Sequence, residues 1–424
     1  LSETDLKRIA YYPGCALEGS GHAYDRSTRA LGKKLGLELV EVENWNCCGA
    51  MEVKNIDPKL QTYLSSRVMS IASEEMGFDT VMAPCNGCYH NLKKAEYDLE
   101  NDPENVAVTE RLSKKAGHET YKPGSIETIH ALDWIKRSIG EDGLRERVKN
   151  SLKGIKIANY YGCMYTRPRH IFPEKDQGPG SESTSKPHFM DDLLEAAGAE
   201  IVDYPLKTAC CGGAHTLSDS DTSTKLVTNL LEAADECGAD IIATECPTCH
   251  SGLEMHQIRA ETRFGKKTNA KIVYFTQLLG MAMGLSARKV GIHENVSDSL
   301  GYFKEKGISC EALGFVNKQK MNEFNLASLN IDYFNLQDCD FFGFPKSDKI
   351  NNFTSEKFDV LINISEEENL IYDYIISHSS AKFRIGKKNH ELYDLLINTK
   401  TDLSKDFVSE VIFYLDLISK NNEQ

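Results

Sequence analysis

The sequence predicts an α/β fold: two pseudo-symmetric domains of parallel sheet flanked by helices, then a small C-terminal α/β unit. Three observations carry this. Short apolar runs alternate with amphipathic helical ones from residue 7 to 308, the alternation that builds helix-covered parallel sheets. One pattern of five cysteines is written twice in that stretch, each time among the same order of strands and helices. Beyond residue 309 the chain turns rich in Phe, Asn and Lys, with few Ala and no cysteine motif. The expected domains are 1–150, 151–308 and 309–424, and 424 residues suffice for a core in each.

In the first domain "RIAYYP" reads as a buried strand running into Cys15, followed by the helical "HAYDRSTRALGKKLG". "LELVEV" (37–42) is a strand leading towards Cys47 and Cys48 in "NCCGA", and "LQTYLSSRVMSIASEEMG" is helical. "DTVMAP" (79–84) runs directly into Cys85 and Cys88, which open the helix "CNGCYHNLKKAEYDLE". The second domain repeats this. "IKIANYYG" leads to Cys163, "FMDDLLEAAGA" is helical, and "EIVDYP" (200–205) leads towards Cys210 and Cys211 in "ACCGG". After the helical "TKLVTNLLEAADECGA", "DIIATE" (240–245) reaches Cys246 and Cys249, which open "CPTCHSGLEMHQIRAE". All ten cysteines then stand at or just past strand ends, where α/β folds place their sites. A helix N-terminus beside each Cys-x-x-Cys favours thiolate over thiol.

The offset between copies is 148 at the lone cysteine (163 against 15), 163 at the pair (210 against 47) and 161 at the last motif (246 against 85). The jump marks an insertion between Cys163 and Cys210. "FPEKDQGPGSESTSKP" (172–187) has no helical or strand period and reads as a surface loop beside the second site, or as a lid over it.

A net charge of −14 argues against a phosphate-neutralising, nucleic-acid-binding surface. No apolar run reaches the roughly 18 residues of a membrane span. The polar start "LSETDLKRIA" has no signal-peptide profile and lacks an initiator Met, as a trimmed start would. A cytoplasmic location is expected, and thirteen cysteines in a reducing compartment point to metal or redox chemistry rather than a disulfide framework.

Structural zinc uses four ligands, whereas each copy offers five with one adjacent pair. Consecutive strand side chains point to opposite sides, so Cys47 and Cys48 address one centre only where the backbone bends; Gly49 and Gly212 permit that bend. Cubane clusters ordinarily take four cysteines, so a fifth implies an unusual iron–sulfur assembly. A four-cysteine zinc site with a spare thiol, and metal-free redox disulfides, stay open as alternatives.

The doubled C-x(31)-CC-x(36)-C-x-x-C and C-x(46)-CC-x(34)-C-x-x-C patterns resemble the cysteine-rich CCG domains of the heterodisulfide reductase B-subunit family. "YYPGCALEGSGHAYDRSTRALGKKLGLELVEVENWNCCGA", "MDDLLEAAGAEIVDYPLKTACCGG" and "VYFTQLLGMAMGLSARKVGI" carry the likeness over residues 7–308, the full expected length of such a chain. One departure is Gly213, where a small residue such as Ala is expected. The resemblance implies two noncubane [4Fe-4S] clusters facing one cleft in which a disulfide is split. Cys15, Cys47, Cys48, Cys85 and Cys88 would hold one cluster, and Cys163, Cys210, Cys211, Cys246 and Cys249 the other. It implies two partners, a ferredoxin-like C subunit and a flavin-containing A subunit. In methanogens it implies the mixed disulfide of coenzyme M and coenzyme B as substrate. No Gly-rich dinucleotide fingerprint follows a strand and no ferredoxin-type cysteine run is present, so electrons would come from those partners. Related CCG proteins serve succinate, glycolate and lactate oxidation, so an electron relay of a quinone-linked or hydroxyacid dehydrogenase is the alternative within redox chemistry. A zinc-stabilised scaffold without chemistry is the alternative outside it.

His22, His90, His215 and His250 lie near the motifs and could carry protons; a surface or supporting place is the plainer expectation for each, and none is singled out as catalytic. Lys207 and Arg167 could attract an anionic substrate or simply be solvated. Tyr11, Tyr12, Tyr160 and Tyr161 are expected to pack at the strand ends, Cys237 to be a small buried side chain, and Cys310 and Cys339 carry no motif. In the tail, "KFDVLINIS" and "AKFRIG" read as strands, "EENLIYDYIISHS" and "KDFVSEVIFYLDLISK" as helices, with a faint resemblance to a family of uncharacterised bacterial proteins. A docking domain, a passive fusion and a join of unrelated sequences all fit it.

Overall fold

The computed structural model describes residues 6–299 apart from 51, 179, 217, 266 and 298, then 302 and, further on, 313–316, 332–340, 344–363, 365, 369–386, 391–397 and 411. The chain divides into two compact units, Leu1–Cys310 and Glu311–Gln424.

The first unit holds two four-stranded parallel sheets of the same topology. Strands β1 (Arg8–Tyr11), β2 (Glu38–Glu41), β3 (Thr80–Ala83) and β4 (Glu127–His130) lie in the order β2-β1-β3-β4. Strands β5 (Lys156–Tyr160), β6 (Glu200–Ile201), β7 (Ile241–Thr244) and β8 (Lys271–Tyr274) repeat it as β6-β5-β7-β8. Such a strand order reverses its winding between the first and third strands, which opens a crevice beyond their C-terminal ends. In the first sheet Cys15 follows β1 and Cys85 follows β3, so the crevice collects both. Strands β4 and β8, absent from the sequence reading, complete each sheet; their last residues, His130 and Tyr274, cap the helices that follow.

Helices α1 (His22–Leu35), α2 (Pro58–Ser70), α3 (Asn86–Asn101), α4 (Pro103–Ala116) and α5 (Ala131–Ser138) surround the first sheet, and α6 (Phe189–Ala196), α7 (Ser220–Glu236), α8 (Pro247–Phe264) and α9 (Phe275–Ala282) the second. Their limits have local causes. Asp57 accepts from the Lys59 and Leu60 N–H groups and Asp102 from Glu104, each ahead of a proline in the first turn, a start signal of about 1 kcal/mol per cap. The expected helix over 60–77 is α2 continued by a π turn, Ile71–Glu75.

The domains embrace reciprocally. Helix α1 of the first packs on α9 of the second, with Ser27 Oγ 2.7 Å from Thr276 Oγ1 and the Tyr24 and Tyr274 rings stacked at 4.5 Å. Helix α5 packs on α6, where Lys136 bridges to Asp192 at 2.6 Å. Trp134, fully buried on α5, donates its indole N–H to the Leu6 carbonyl at 3.0 Å, and a side chain that large contributes roughly 3 kcal/mol on burial. The two sheets thus turn their cysteine-bearing ends towards each other.

The insertion is not a solvated loop along its whole length. Phe172, Lys175 and Glu182 are buried. Lys175 lies 3.6 Å from Asp133 and over the Tyr165 ring, and Glu182 accepts from the N–H groups of His188 and Phe189 at the start of α6. The segment straps the second domain to α5 of the first.

In the second unit β9 (Leu313–Val316) pairs parallel to β10 (Asp332–Asn335), and β11 (Val360–Ile362), β12 (Phe383–Gly386) and β13 (Leu395–Leu396) form a parallel sheet in that order. Helices α10 (Asp348–Ser355) and α11 (Leu370–His378) bring Ile350, Ile371 and Ile375 into one apolar cluster with Phe334. The expected strands in "KFDVLINIS" and "AKFRIG" are β11 and β12, and the expected helix in "EENLIYDYIISHS" is α11. That over 405–420 lies, Val411 apart, outside the described residues, as does Cys310.

Candidate metal centre

Each copy builds its cysteine set by the same local devices. Tyr12, just before Cys15, is fully buried and donates to the Asn46 carbonyl at 2.8 Å, while Tyr160, before Cys163, donates to the Ala209 carbonyl at 2.7 Å. Each bond ties the lone-cysteine turn to the residue preceding the Cys-Cys pair. Gly49 (φ 85°) and Gly212 (φ 74°) take the left-handed conformation that turns the pair, as the sequence suggested. A Cβ on Gly14 would fall 2.7 Å from Cys88 Sγ, and one on Gly162 3.1 Å from Cys249 Sγ. Hydrogen is what leaves room for the sulfurs. Gly213 answers Ala50, but here Thr248 fills the space: a Cβ on Gly213 would meet Thr248 Cγ2 at 2.8 Å. That accounts for the departure from the expected pattern.

The sulfurs gather into one place. Cys15 and Cys47 are 3.6 Å apart, Cys48 and Cys88 3.5 Å, and Cys211 and Cys249 3.5 Å. Cys163 interacts with Cys210, and Cys85 with Cys246 across the domain boundary. A single cavity of about 250 Å³ is lined by nine of the ten cysteines, with Cys47 behind Cys15 at its edge. Its other walls include Met164, Ala16, Ala214 and Thr248. Cys15 and Cys210 are exposed, whereas Cys48, Cys85, Cys88, Cys211, Cys246 and Cys249 are buried. Among the described residues no group of three or more His, Cys, Asp or Glu side chains is drawn up around a single metal ion.

Charge is divided unevenly among these thiols. Cys47 is held well below the ordinary thiol range by hydrogen bonds from Cys15 and Cys48, and Cys210 by Cys163, with help from the Gly212 N–H, His215 and Arg167. Cys246 is lowered by Cys249 and Cys85, then by first-turn N–H groups of α8. Their partners Cys15, Cys163, Cys85 and Cys249 are pushed up, first because each keeps its proton to donate in a sulfur–sulfur hydrogen bond, then by burial and by repulsion from the neighbouring anion. A quintet of thiolates therefore needs a cationic core to neutralise it. The donor set, all sulfur in each copy with helix N-termini behind the Cys-x-x-Cys pairs, fits an iron–sulfide core.

The other candidates are placed as follows. Burial holds the His90 imidazole down to about 4, and His250, stacked on Tyr274 at 3.9 Å, down to about 3. His22 pairs with Glu294 at 3.1 Å. His215 is exposed beside Cys210. Lys207 is taken up by Asp191 at 2.6 Å and the Pro187 carbonyl. Arg167 donates to the Thr208 carbonyl. Tyr11 and Tyr161 are buried and bond to Asp25 and Asp191. Cys237 is half-buried rather than buried, its thiol on the Asp203 carbonyl at 3.2 Å, and Cys339 is buried in the second unit.

The sequence reading missed Glu245. It is fully buried next to Cys246, where the first copy has Pro84, with only Asn86 Nδ2 nearby at 3.5 Å and Oε2 without a partner. Burial first, then Glu182, push its carboxyl well up. An acid closing the apolar run "DIIATE" was the available signal.

The description "Cysteine-rich domain" (CCG) matches residues 9–93 and 157–254, and a "Family of unknown function (DUF6913)" matches 285–418. The chain is 31% identical over 300 residues to the B subunit of the ferredoxin/F420H2-dependent CoB-CoM heterodisulfide reductase of Methanosarcina acetivorans, covering 70% of this chain and 96% of that one. It is 29% identical to the 8-methylmenaquinol:fumarate reductase membrane anchor subunit of Wolinella succinogenes, covering 69% and 98%. Among solved structures, a hypothetical protein from Helicobacter pylori shares the fold, with a TM-score of 0.54 at 14% identity over 68% of this chain. This chain spans about half, 51%, of that structure.

Proposed function

This chain belongs to the heterodisulfide reductase B-subunit family, built on cysteine-rich CCG domains, and on that premise we propose that residues 7–308 reduce a small-molecule disulfide at two noncubane [4Fe-4S] clusters. An iron–sulfur oxidoreductase component is what the family carries; the cluster type, its ligands and the substrate are this proposal. Cys15, Cys47, Cys48, Cys85 and Cys88 hold one cluster and Cys163, Cys210, Cys211, Cys246 and Cys249 the other. The observation that carries the reading is that both quintets border one cavity.

When bound, the two clusters would each supply one electron, which suits a reaction needing two: RS–SR′ plus two electrons and two protons gives RSH and R′SH. The chain's own groups do the rest. The apolar walls Ala16, Met164 and Ala214 exclude water from the S–S bond. The exposed positions Cys15 and Cys210 mark where the substrate enters. Electrons come from partner chains, a ferredoxin-like one and a flavin-containing one. No helix among the described residues is long and apolar enough to cross a membrane.

The test is metal analysis and EPR on anaerobically isolated protein, with a viologen-linked assay on the coenzyme M–coenzyme B disulfide. About 8 iron atoms per chain and disulfide-dependent viologen oxidation are expected. Stoichiometric zinc in both sites, with no reduction, overturns the reading. A second reading, electron relay to or from a quinone, is favoured by the similarity to the menaquinol:fumarate reductase protein; full iron with a quinol-driven and disulfide-independent turnover would select it.

A further inference from the structure

Each Cys-x-x-Cys carries one residue that reaches into the other copy. The second position is Asn86 in the first motif and Pro247 in the second, and each is the first residue of the helix its motif opens, α3 and α8. Both meet the turn that holds the other copy's lone cysteine. Asn86 Nδ2 donates to the Tyr161 carbonyl at 2.9 Å, two residues before Cys163. The Tyr161 and Gly162 N–H groups donate to the Lys207 carbonyl of their own copy at 2.8 and 3.1 Å. That turn is therefore anchored in the second copy and clasped by the first. On the opposite side the turn from Cys15 to Gly21 is closed by the Gly21 N–H on the Ala16 carbonyl at 2.7 Å. A Cβ on Gly21 would lie 2.8 Å from Pro247 Cβ and 2.9 Å from that carbonyl oxygen, so Pro247 packs directly against it.

Asn86 is out of keeping with the walls around it. It is buried and lines the cavity among cysteines, Ala16, Ala50, Met164 and Ala214, where an amide costs free energy unless it is bonded. Its NH2 group is committed across the copies, to Tyr161 and, at 3.5 Å, to Glu245 Oε1 beside Cys246. Its own Oδ1 has no partner, and neither has Glu245 Oε2. An amide kept for local capping would have its oxygen satisfied; this one serves a single direction, from the first copy to the second. It stands between Cys85 and Cys88, and Cys85 interacts with Cys246, so the bond acts at the place where the two sulfur sets meet. The packing of α1 on α9 and of α5 on α6 brings the copies together; the two clasps work at the sulfurs themselves.

We propose that Asn86 is a positioning residue: its bond to the Tyr161 carbonyl, answered by Pro247 against Gly21, sets the separation of the two centres. This rests on the disulfide-reductase reading above. Splitting a disulfide takes one electron at each sulfur, so both centres must reach one S–S bond at once, and a misplacement of about 1 Å costs roughly a hundredfold in rate. A reaction that uses either centre alone makes no such demand.

Anaerobically isolated, iron-loaded protein gives three readings. They are its iron content, the magnetic interaction between the two centres in EPR, and the rates at which the reduced protein is re-oxidised by ferricenium, a one-electron acceptor, and by the coenzyme M–coenzyme B disulfide. The magnetic interaction falls steeply with distance and so reports the separation. Asn86→Leu, close in size but without the amide, should keep its iron and its ferricenium rate. Its splitting should shift, and its disulfide rate should fall roughly a hundredfold. Asn86→Gln, with the amide on a longer arm, should recover part of both. Gly21→Ala, which pushes on Pro247 from the other side, should move the same two readings, and it decides the matter if Asn86→Leu loses iron. An unaltered splitting with an unaltered disulfide rate in Asn86→Leu and Gly21→Ala overturns the clasp while leaving disulfide reduction standing. Ferricenium and disulfide rates that fall together at constant splitting overturn it as well. A splitting that shifts in Asn86→Leu, in a protein that reduces no disulfide, keeps the clasp and overturns the parent reading. Unaltered protein whose centres show no interaction overturns the clasp, and the shared cavity of the parent reading with it.

Discussion

The Tyr12 hydroxyl donates to the Asn46 carbonyl at 2.8 Å, and Tyr160 makes the same bond to Ala209 at 2.7 Å in the second copy. In both, a fully buried phenol pins the turn after the first strand to the residue before the Cys-Cys pair. Replacing Tyr12 by Phe leaves that carbonyl unsatisfied and should lower stability by about 1–3 kcal/mol. It should also speed iron loss to a chelator, because the Cys47–Cys48 turn loses its tether. Urea unfolding and chelation kinetics measure the two effects, and an unchanged chelation rate would remove the tether argument.

Separate quintets imply separable clusters. Cys47→Ala should cut iron from about 8 to about 4 atoms per chain and leave the EPR signal of the second centre. Cys237→Ala, at a thiol bonded to the Asp203 carbonyl, should leave iron content unaltered. Iron analysis with EPR on both variants decides it.

Gly14 and Gly36 both have positive φ, 70° and 74°, but only Gly14 faces a sulfur. Gly14→Ala should cost about 1–3 kcal/mol in strain and displace Cys88, with loss of iron from the first centre. Gly36→Ala has open space around it and should cost about 1 kcal/mol with full iron retained. Equal iron losses in the two variants would show backbone strain, not sulfur room, to be responsible.

His130 is fully buried, accepts from the Leu132 N–H at Nδ1, and contacts the Pro84 carbonyl through Nε2 at 2.8 Å. Both ring nitrogens are committed in the neutral form. Burial lowers its pKa from an ordinary 6.5 to about 4, so between those values the unfolded chain binds the extra proton and the folded one does not. Its contribution to stability is therefore complete above pH 6.5 and is lost as pH falls towards 4, by up to about 1.4 kcal/mol per pH unit. Urea midpoints from pH 7 to 4.5 should show this slope added to those of His90 and His250, which burial also lowers, and His130→Gln should reduce it by about one proton's share.

Residues 311–424 form a compact unit of their own and match a different family description. Removing them should leave iron content and disulfide reduction intact. Loss of both on truncation would make the tail part of the catalytic fold.

Much of this protein was legible along the chain because its signals are local. The run of apolar residues into each cysteine, the helix that each Cys-x-x-Cys opens, and the turn at Gly49 and Gly212 depend on neighbours a few residues away. Strands β4 and β8 escaped because four residues between helices give too short a period to read. Lys175 and Glu182 escaped because a Gly- and Ser-rich insertion looks solvated until Asp133, Tyr165 and the start of α6 supply partners from elsewhere.

The sequence by itself determined the doubled sheet-and-helix unit and two sets of five sulfurs. Only the tertiary structure decided that both sets border one cavity and that Cys85 meets Cys246. The reason is physical: periodicity reports which face of an element is apolar, but the partner of that face is chosen by packing. Here α1 on α9 and α5 on α6 turn two crevices, far apart in the chain, to face each other.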